Sequence, residues 1–228
     1  MEHKEEHFTS SDLIKDVVIG VSDGLTVPFA LAAGLSGAVQ NNGIIITAGI
    51  AEIIAGSIAM GLGGYLAGKT EYDHYYSELK KEYYEVDHLP DVEKKEIAEI
   101  FAGYGLDEQS QEIVVNDLAK DPKKWVEFMM RFELGLEEPD GNRAKKSAAN
   151  IAISYIFGGL IPLSPYLFTD SPQQGLLFSI IITILALCTF GYIKSHLTGQ
   201  SPFAGAFKTA AIGAVAAGAA FIIAKIIS

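Results

Sequence analysis

The 228-residue chain carries 28 Asp and Glu against 17 Lys and Arg, a formal net charge of -11, and a single cysteine. One cysteine excludes an intrachain disulfide and any cysteine-based metal site, and with no basic face to meet phosphates nucleic acid is excluded as a partner. Charge and apolarity are segregated: most acids lie between Glu71 and Asp140 and the flanks are nearly uncharged, so an apolar membrane part and an acidic aqueous part share one chain.

The first 16 residues are polar, and the apolar stretch after them lacks a convincing cleavage site, which predicts a retained membrane helix rather than a removable signal peptide. That first segment runs from about Val17 to Val39 and contains Asp23 and Pro28. A membrane proline is tolerated where neighbouring groups satisfy the carbonyl it frees. Asp23 reads either as a local cap in a Ser22-Asp23-Gly24 turn or as a charge below the membrane surface facing a pathway or partner. The apolar residues before it favour the second.

A short polar link, Gln40 to Gly43, leads into the second segment, an apolar run from Ile44 long enough to cross a bilayer, which takes roughly 20 residues. Glu52 lies deep within it, where an unneutralised acid costs about 2.5 to 3.5 kcal/mol on insertion scales. Met60, eight residues on, would alone be filler, but beside Glu52 it is a candidate soft ligand for a borderline metal. Gly49, Gly56 and Gly63 recur every seven residues and predict close helix packing.

No Pro or Gly interrupts the pattern after Gly68, so the helix is predicted to continue into an acidic stalk. Glu71, Glu78, Glu82 and Glu85 share one face of it at about 100° per residue. Such a stripe is either a solvated face softened by Lys80 and Lys81 or a set of hard oxygen ligands for a divalent cation. His88-Leu89-Pro90 ends the helix, and Asp91 is placed to cap the next. That helix carries Glu93, Glu96 and Glu99, with Ile97, Ile100 and Phe101 as its apolar side and Gly103 and Gly105 as its stop. A further amphipathic helix spans about Asp107 to Ala119, and Asp121-Pro122 opens another containing WVEFMMRFELG. Met129 and Met130 flank the face of Glu133; packing with Trp125 and Phe128 is their default role, and a mixed Met and Glu ligand set is the sharper one.

Arg143, Lys145 and Lys146 mark the return to the membrane, followed by segments at about Ala148 to Leu167, Leu176 to Ile193 and Ala204 to Ile227. The expected architecture is an all-α membrane protein of five transmembrane helices, with a three-helix cytosolic insert between the second and third. Residues 1–70 supply the first two helices, 71–143 the insert continuous with helix 2, and 144–228 the last three. Lys4, Lys15, the insert, Lys194 and Lys208 fall on one side, and the opposite loops have no Lys or Arg. The insert and N-terminus are therefore expected in the cytosol.

These residues describe a divalent-metal transporter rather than an enzyme: the insert captures the ion and Asp23, Glu52 and Met60 conduct it. A carboxylate that must lose its proton to bind a cation also couples the two flows. No tightly bound cofactor is expected. The rival is a membrane-attached di-iron ferroxidase or iron store, suggested by the Glu-x-x-His spacing of Glu71 with His74 and Glu85 with His88. Against it, each pair shares one helix instead of facing another across a four-helix set.

The stretches DVVIGVSDGLTVPFALAAGLSG, AGIAEIIAGSIAMGLGGYLA, WVEFMMRFELGLEEP and FGGLIPLSPY resemble the vacuolar iron transporter family over nearly the whole chain. The resemblance implies a five-helix homodimer with a cytosolic three-helix metal-binding domain, exporting ferrous iron from the cytosol in exchange for protons. Asp23, Glu52 and Met60 look like its membrane ion pathway at the dimer interface. Glu82, Glu85, Glu93, Glu96, Met129, Met130 and Glu133 look like its cytosolic ligands, with no departure in residue type. Family members without the insert exist, so its presence argues for the iron-transporting type. Carboxylate and thioether ligands also accept Mn2+, Co2+ and Zn2+. Such proteins serve the vacuolar membrane in eukaryotes and the cell membrane in bacteria.

Overall fold

The computed structural model describes residues 11–227, and among them every regular element is helical. Lys4 of the orientation argument lies outside the described residues. Helix α1 spans Ser11–Ala38, α2 Asn42–His88, α3 Pro90–Gly103, α4 Glu108–Leu118, α5 Pro122–Phe132, α6 Arg143–Leu163, α7 Pro172–Leu197 and α8 Pro202–Ile227, with a short 3-10 turn at Ser164–Leu167 after α6. Five of these (α1, α2, α6, α7 and α8) are long and apolar enough to cross a membrane. The chain divides into two compact units, one made of residues up to Leu66 and from Ala144 onward, the other of Ala67–Arg143.

In the first unit, α1 packs along α7 and α8, and α7 along α8. Small residues set how closely α1 and α6 approach. A Cβ on Gly20 would lie 2.5 Å from the Ile151 carbonyl oxygen, and one on Gly158 would lie 3.1 Å from the backbone of Gly24 and Leu25. The two backbones are therefore in contact, the packing that small residues permit between membrane helices. Helix α6 also meets α2 at Gly49, Gly56, Gly61 and Gly64, but not at Gly63, around which there is open space.

Prolines are accommodated locally. Helix α1 continues through the buried Pro28, so Asp23 lies mid-helix and is not the cap of a turn. The Ile161 carbonyl, which Pro165 cannot serve for want of an N–H, accepts a hydrogen bond from Ser164 Oγ at 2.8 Å. The α1–α2 link is tied to the α6–α7 link by Asn42 Nδ2, which donates to the carbonyls of Thr169 (2.6 Å) and Tyr166 (3.2 Å). Beside it the Ser36 and Tyr166 hydroxyls share a hydrogen bond of 2.9 Å.

In the second unit, the end of α2 packs with α3, α4 and α5 around Val86, Ile97, Val115, Trp125, Val126, Met129 and Met130. Asp107 and Asp121 cap α4 and α5 by accepting from backbone N–H groups. Asp91 does not cap α3. The helix opens at Pro90, with Leu89 in the cap position and Asp91 in the first turn, because proline has the helical φ already set and no N–H to satisfy. Gly105 at φ +87° ends it, as expected of a residue free to adopt the left-handed region.

The α1–α6 contact generates a test. Gly20→Val should lower the thermal unfolding midpoint of the detergent-solubilised protein, at a cost of about 1–3 kcal/mol or more. Gly218→Ala, at a position with no neighbour within 4 Å, should leave the midpoint unchanged or slightly higher. Circular dichroism melts of the two variants check this.

Candidate functional site

Helix α2 places Glu52 among apolar residues of the first unit, half-buried. The Tyr155 hydroxyl of α6 donates a short hydrogen bond to Glu52 Oε1, while Glu52 Oε2 is buried with no hydrogen-bond partner. Glycines make this contact possible. A Cβ on Gly56, one turn past Glu52, would lie 2.5 Å from Tyr155 Cζ, and a Cβ on Gly24 would lie 3.0 Å from the Tyr155 Cα. Asp23 is half-buried and immediately precedes Gly24 on α1. Tyr155 thus touches Glu52 through its hydroxyl and Gly24, the neighbour of Asp23, through its backbone. Sequence reasoning missed it, although a phenol within the apolar run ISYIF was a visible signal. Met60 is half-buried two turns beyond Glu52, roughly 12 Å along the axis.

In the second unit, Glu82 and Glu93 are 2 % and 3 % exposed, and each has a buried carboxylate oxygen with no hydrogen-bond partner. Glu82 occupies the apolar stripe of α2 formed by Tyr75, Leu79 and Val86, and Glu93 occupies that of α3 with Ile97. The remaining acids of the stalk are distributed differently. Glu71 is exposed, whereas Glu78 and Glu85 reach Lys81 at 3.9 and 3.6 Å. Glu96 is half-buried, and Glu133 is an exposed residue at the C-cap of α5. Glu99 pairs with Lys95 at 3.5 Å and stands apart from the cluster.

Burial is the main cause that lifts both Glu82 and Glu93 from the ordinary 4.5 to about 7. Glu133 and Glu85 add to it at Glu82, and Glu96, Glu82, Glu85 and Glu133 add to it at Glu93. Glu133 is raised by desolvation and then by Glu96. The five acids Glu82, Glu85, Glu93, Glu96 and Glu133 therefore share one field. No three His, Cys, Asp or Glu side chains among the described residues converge closely enough to hold a metal ion. Met129 and Met130 are 0 % and 2 % exposed within the core beside Trp125.

The ferroxidase spacing finds no support. His74 lies 3.9 Å from Glu78 instead of engaging Glu71. His88 stacks on the Tyr84 ring, with centroids 4.1 Å apart, and shares a hydrogen bond with the Tyr84 carbonyl.

The model of the VIT family matches residues 14–225. The chain belongs to the VIT family. It is 57 % identical to "Vacuolar iron transporter 1" of Tulipa gesneriana over 224 residues, covering 98 % of this chain and 91 % of that protein. It is 54 % identical to "Vacuolar iron transporter 1" of Arabidopsis thaliana, covering 99 % and 90 %. The similarity extends to "Protein CCC1" of Saccharomyces cerevisiae at 41 % identity, covering 94 % and 69 %. These matches run through both units of this VIT family chain.

The raised acids fix a pH dependence. Glu82 and Glu93 bind protons more tightly folded than unfolded, so their contribution to stability is complete below about pH 4.5 and is lost as pH rises through about 7. A divalent cation should reverse the trend by replacing the protons. Trp125, the single tryptophan, is buried in this unit and reports its unfolding in the intact chain. The metal-free midpoint should fall between about pH 5 and 7, and Glu82→Gln should flatten the slope. A midpoint that climbs over that range would contradict the assignment.

Proposed function

We propose that this chain is a homodimeric transporter of the vacuolar membrane that moves ferrous iron out of the cytosol in exchange for protons. Its names among relatives support iron as the cargo. The observation that carries the reading is the state of the three glutamates that each bury an oxygen without a donor: Glu52, Glu82 and Glu93. A buried acceptor left unmatched is destabilising by about 1–3 kcal/mol, and a passing cation or proton is what would relieve it.

In this reading the second unit is a cytosolic capture domain. Glu82, Glu85, Glu93, Glu96 and Glu133 draw the ion in, with Met129 and Met130 able to supply thioether sulfur from the adjacent core. Electrostatic focusing by acids of one sign favours loading from a dilute pool. Asp23, Glu52 and Met60 form the membrane path, each taking the ion in turn. Tyr155 holds one Glu52 oxygen and leaves the other to the ion. When the ion leaves, the acids take up protons, because desolvation favours their neutral form. The N-terminus lies on the cytosolic side, and Mn2+, Co2+ and Zn2+ compete with iron for the same ligands.

Vesicles containing the purified protein, an internal ferrous-sensitive dye and an imposed pH gradient test the scheme. Wild-type protein should load the vesicles, and collapsing the gradient should slow loading. Glu52→Gln should reduce flux to the level of protein-free vesicles while leaving the metal-induced change in Trp125 fluorescence intact. Undiminished flux in that variant would remove Glu52 from the path. Oxygen-dependent ferrous oxidation by the protein would revive the ferroxidase reading.

A further inference from the structure

Helix α1 buries a second acid that takes no part in the path described above. Asp16 is 2 % exposed, yet it differs from Glu52, Glu82 and Glu93 in how it is satisfied. Ser147 Oγ donates to its Oδ1 at 2.9 Å and Asn150 Nδ2 donates to its Oδ2 at 3.3 Å, so both oxygens are engaged. A carboxylate that accepts on both oxygens from two donors of one neighbouring helix ties the two helices together at that height.

The place of the anchor is informative. Asp16, Gly20, Asp23 and Gly24 lie at offsets of four, seven and eight on one face of α1. Along α6, Ser147 and Asn150 meet Asp16, Ile151 and Ser154 meet Gly20, and Tyr155 meets Gly24. Beyond the anchor the contact continues at Gly20 and Gly24, where α1 offers no side chain and the α6 backbone lies against it. A shift of α6 at Ser147 is therefore transmitted along two turns of helix to Tyr155, whose hydroxyl must reach Glu52.

We propose that Asp16 is a positioning residue for transport: by pinning Ser147 and Asn150 it sets the height of α6 on α1 and so holds the Tyr155 hydroxyl on Glu52. The proposal rests on the transporter reading for its functional consequence, and its mechanical content stands apart from that reading.

A double-mutant cycle between Asp16→Asn and Tyr155→Phe in the full-length protein tests it. Each single change should reduce the maximal iron flux into vesicles about tenfold, with little change in the iron concentration at half-maximal flux, and the double variant should be no slower than the worse single one. A merely structural loss would multiply, giving a double variant about a hundredfold slower, and that result would overturn the proposal. Unchanged flux in Asp16→Asn would overturn it as well.

If Asp16→Asn does not yield folded protein, Ser147→Ala, which keeps the carboxylate and removes one donor, replaces it in the same cycle. The cycle is also read as unfolding midpoints in detergent, which needs no transport. Sub-additive shifts there support the Asp16–Tyr155 coupling even if wild-type vesicles take up no iron, an outcome that would count against the transporter reading alone. Additive shifts would sink the coupling while leaving the transporter reading in place.

Discussion

The hydrogen bond from Tyr155 to Glu52 is the contact on which the membrane unit turns, because it settles how a carboxylate can be both stable and available inside an apolar helix. One oxygen receives the phenol proton and the other receives nothing. A fully satisfied acid would hold its place and ignore an ion, and a wholly unsatisfied one would be too costly to insert. The arrangement depends on glycine at Gly24 and Gly56, since a side chain at either position would occupy the space of Tyr155.

The aqueous unit reaches a similar compromise by another route. Its two buried acids are neutralised by nothing basic within the core; they are lifted to about 7 by desolvation first and by neighbouring acids second. At near-neutral pH such groups exchange readily between the protonated and the ionised form, and a divalent cation shifts the balance toward the ionised one. Lys81 pairs with both Glu78 and Glu85 and partly offsets the repulsion felt by Glu82. Asp16, by contrast, accepts hydrogen bonds on both oxygens from side chains of α6.

The five long apolar runs, the continuation of α2 past Gly68 and the caps at Asp107 and Asp121 were legible in the sequence, because length, hydropathy and local hydrogen bonding are properties of contiguous residues. So was the chemistry of the acids, since an Asp or Glu within an apolar run announces itself by its insertion penalty. The stalk misled in one respect. Counting Glu71, Glu78, Glu82 and Glu85 on one face treats them alike, yet only Glu82 falls in the apolar stripe with Tyr75, Leu79 and Val86, and only it is buried.

What the sequence determined by itself was which segments are long and apolar enough to lie in a bilayer and which acids fall inside them; both follow from composition and periodicity along the chain. The tertiary structure alone decided that Tyr155 joins Glu52 across 103 residues of sequence and that Asp16 closes on Ser147 and Asn150. It also left Gly63 out of the glycine contacts of α2, which fall at Gly49, Gly56, Gly61 and Gly64. Each of these depends on where two helices cross, and a crossing is fixed by packing between distant segments, for which no local pattern exists.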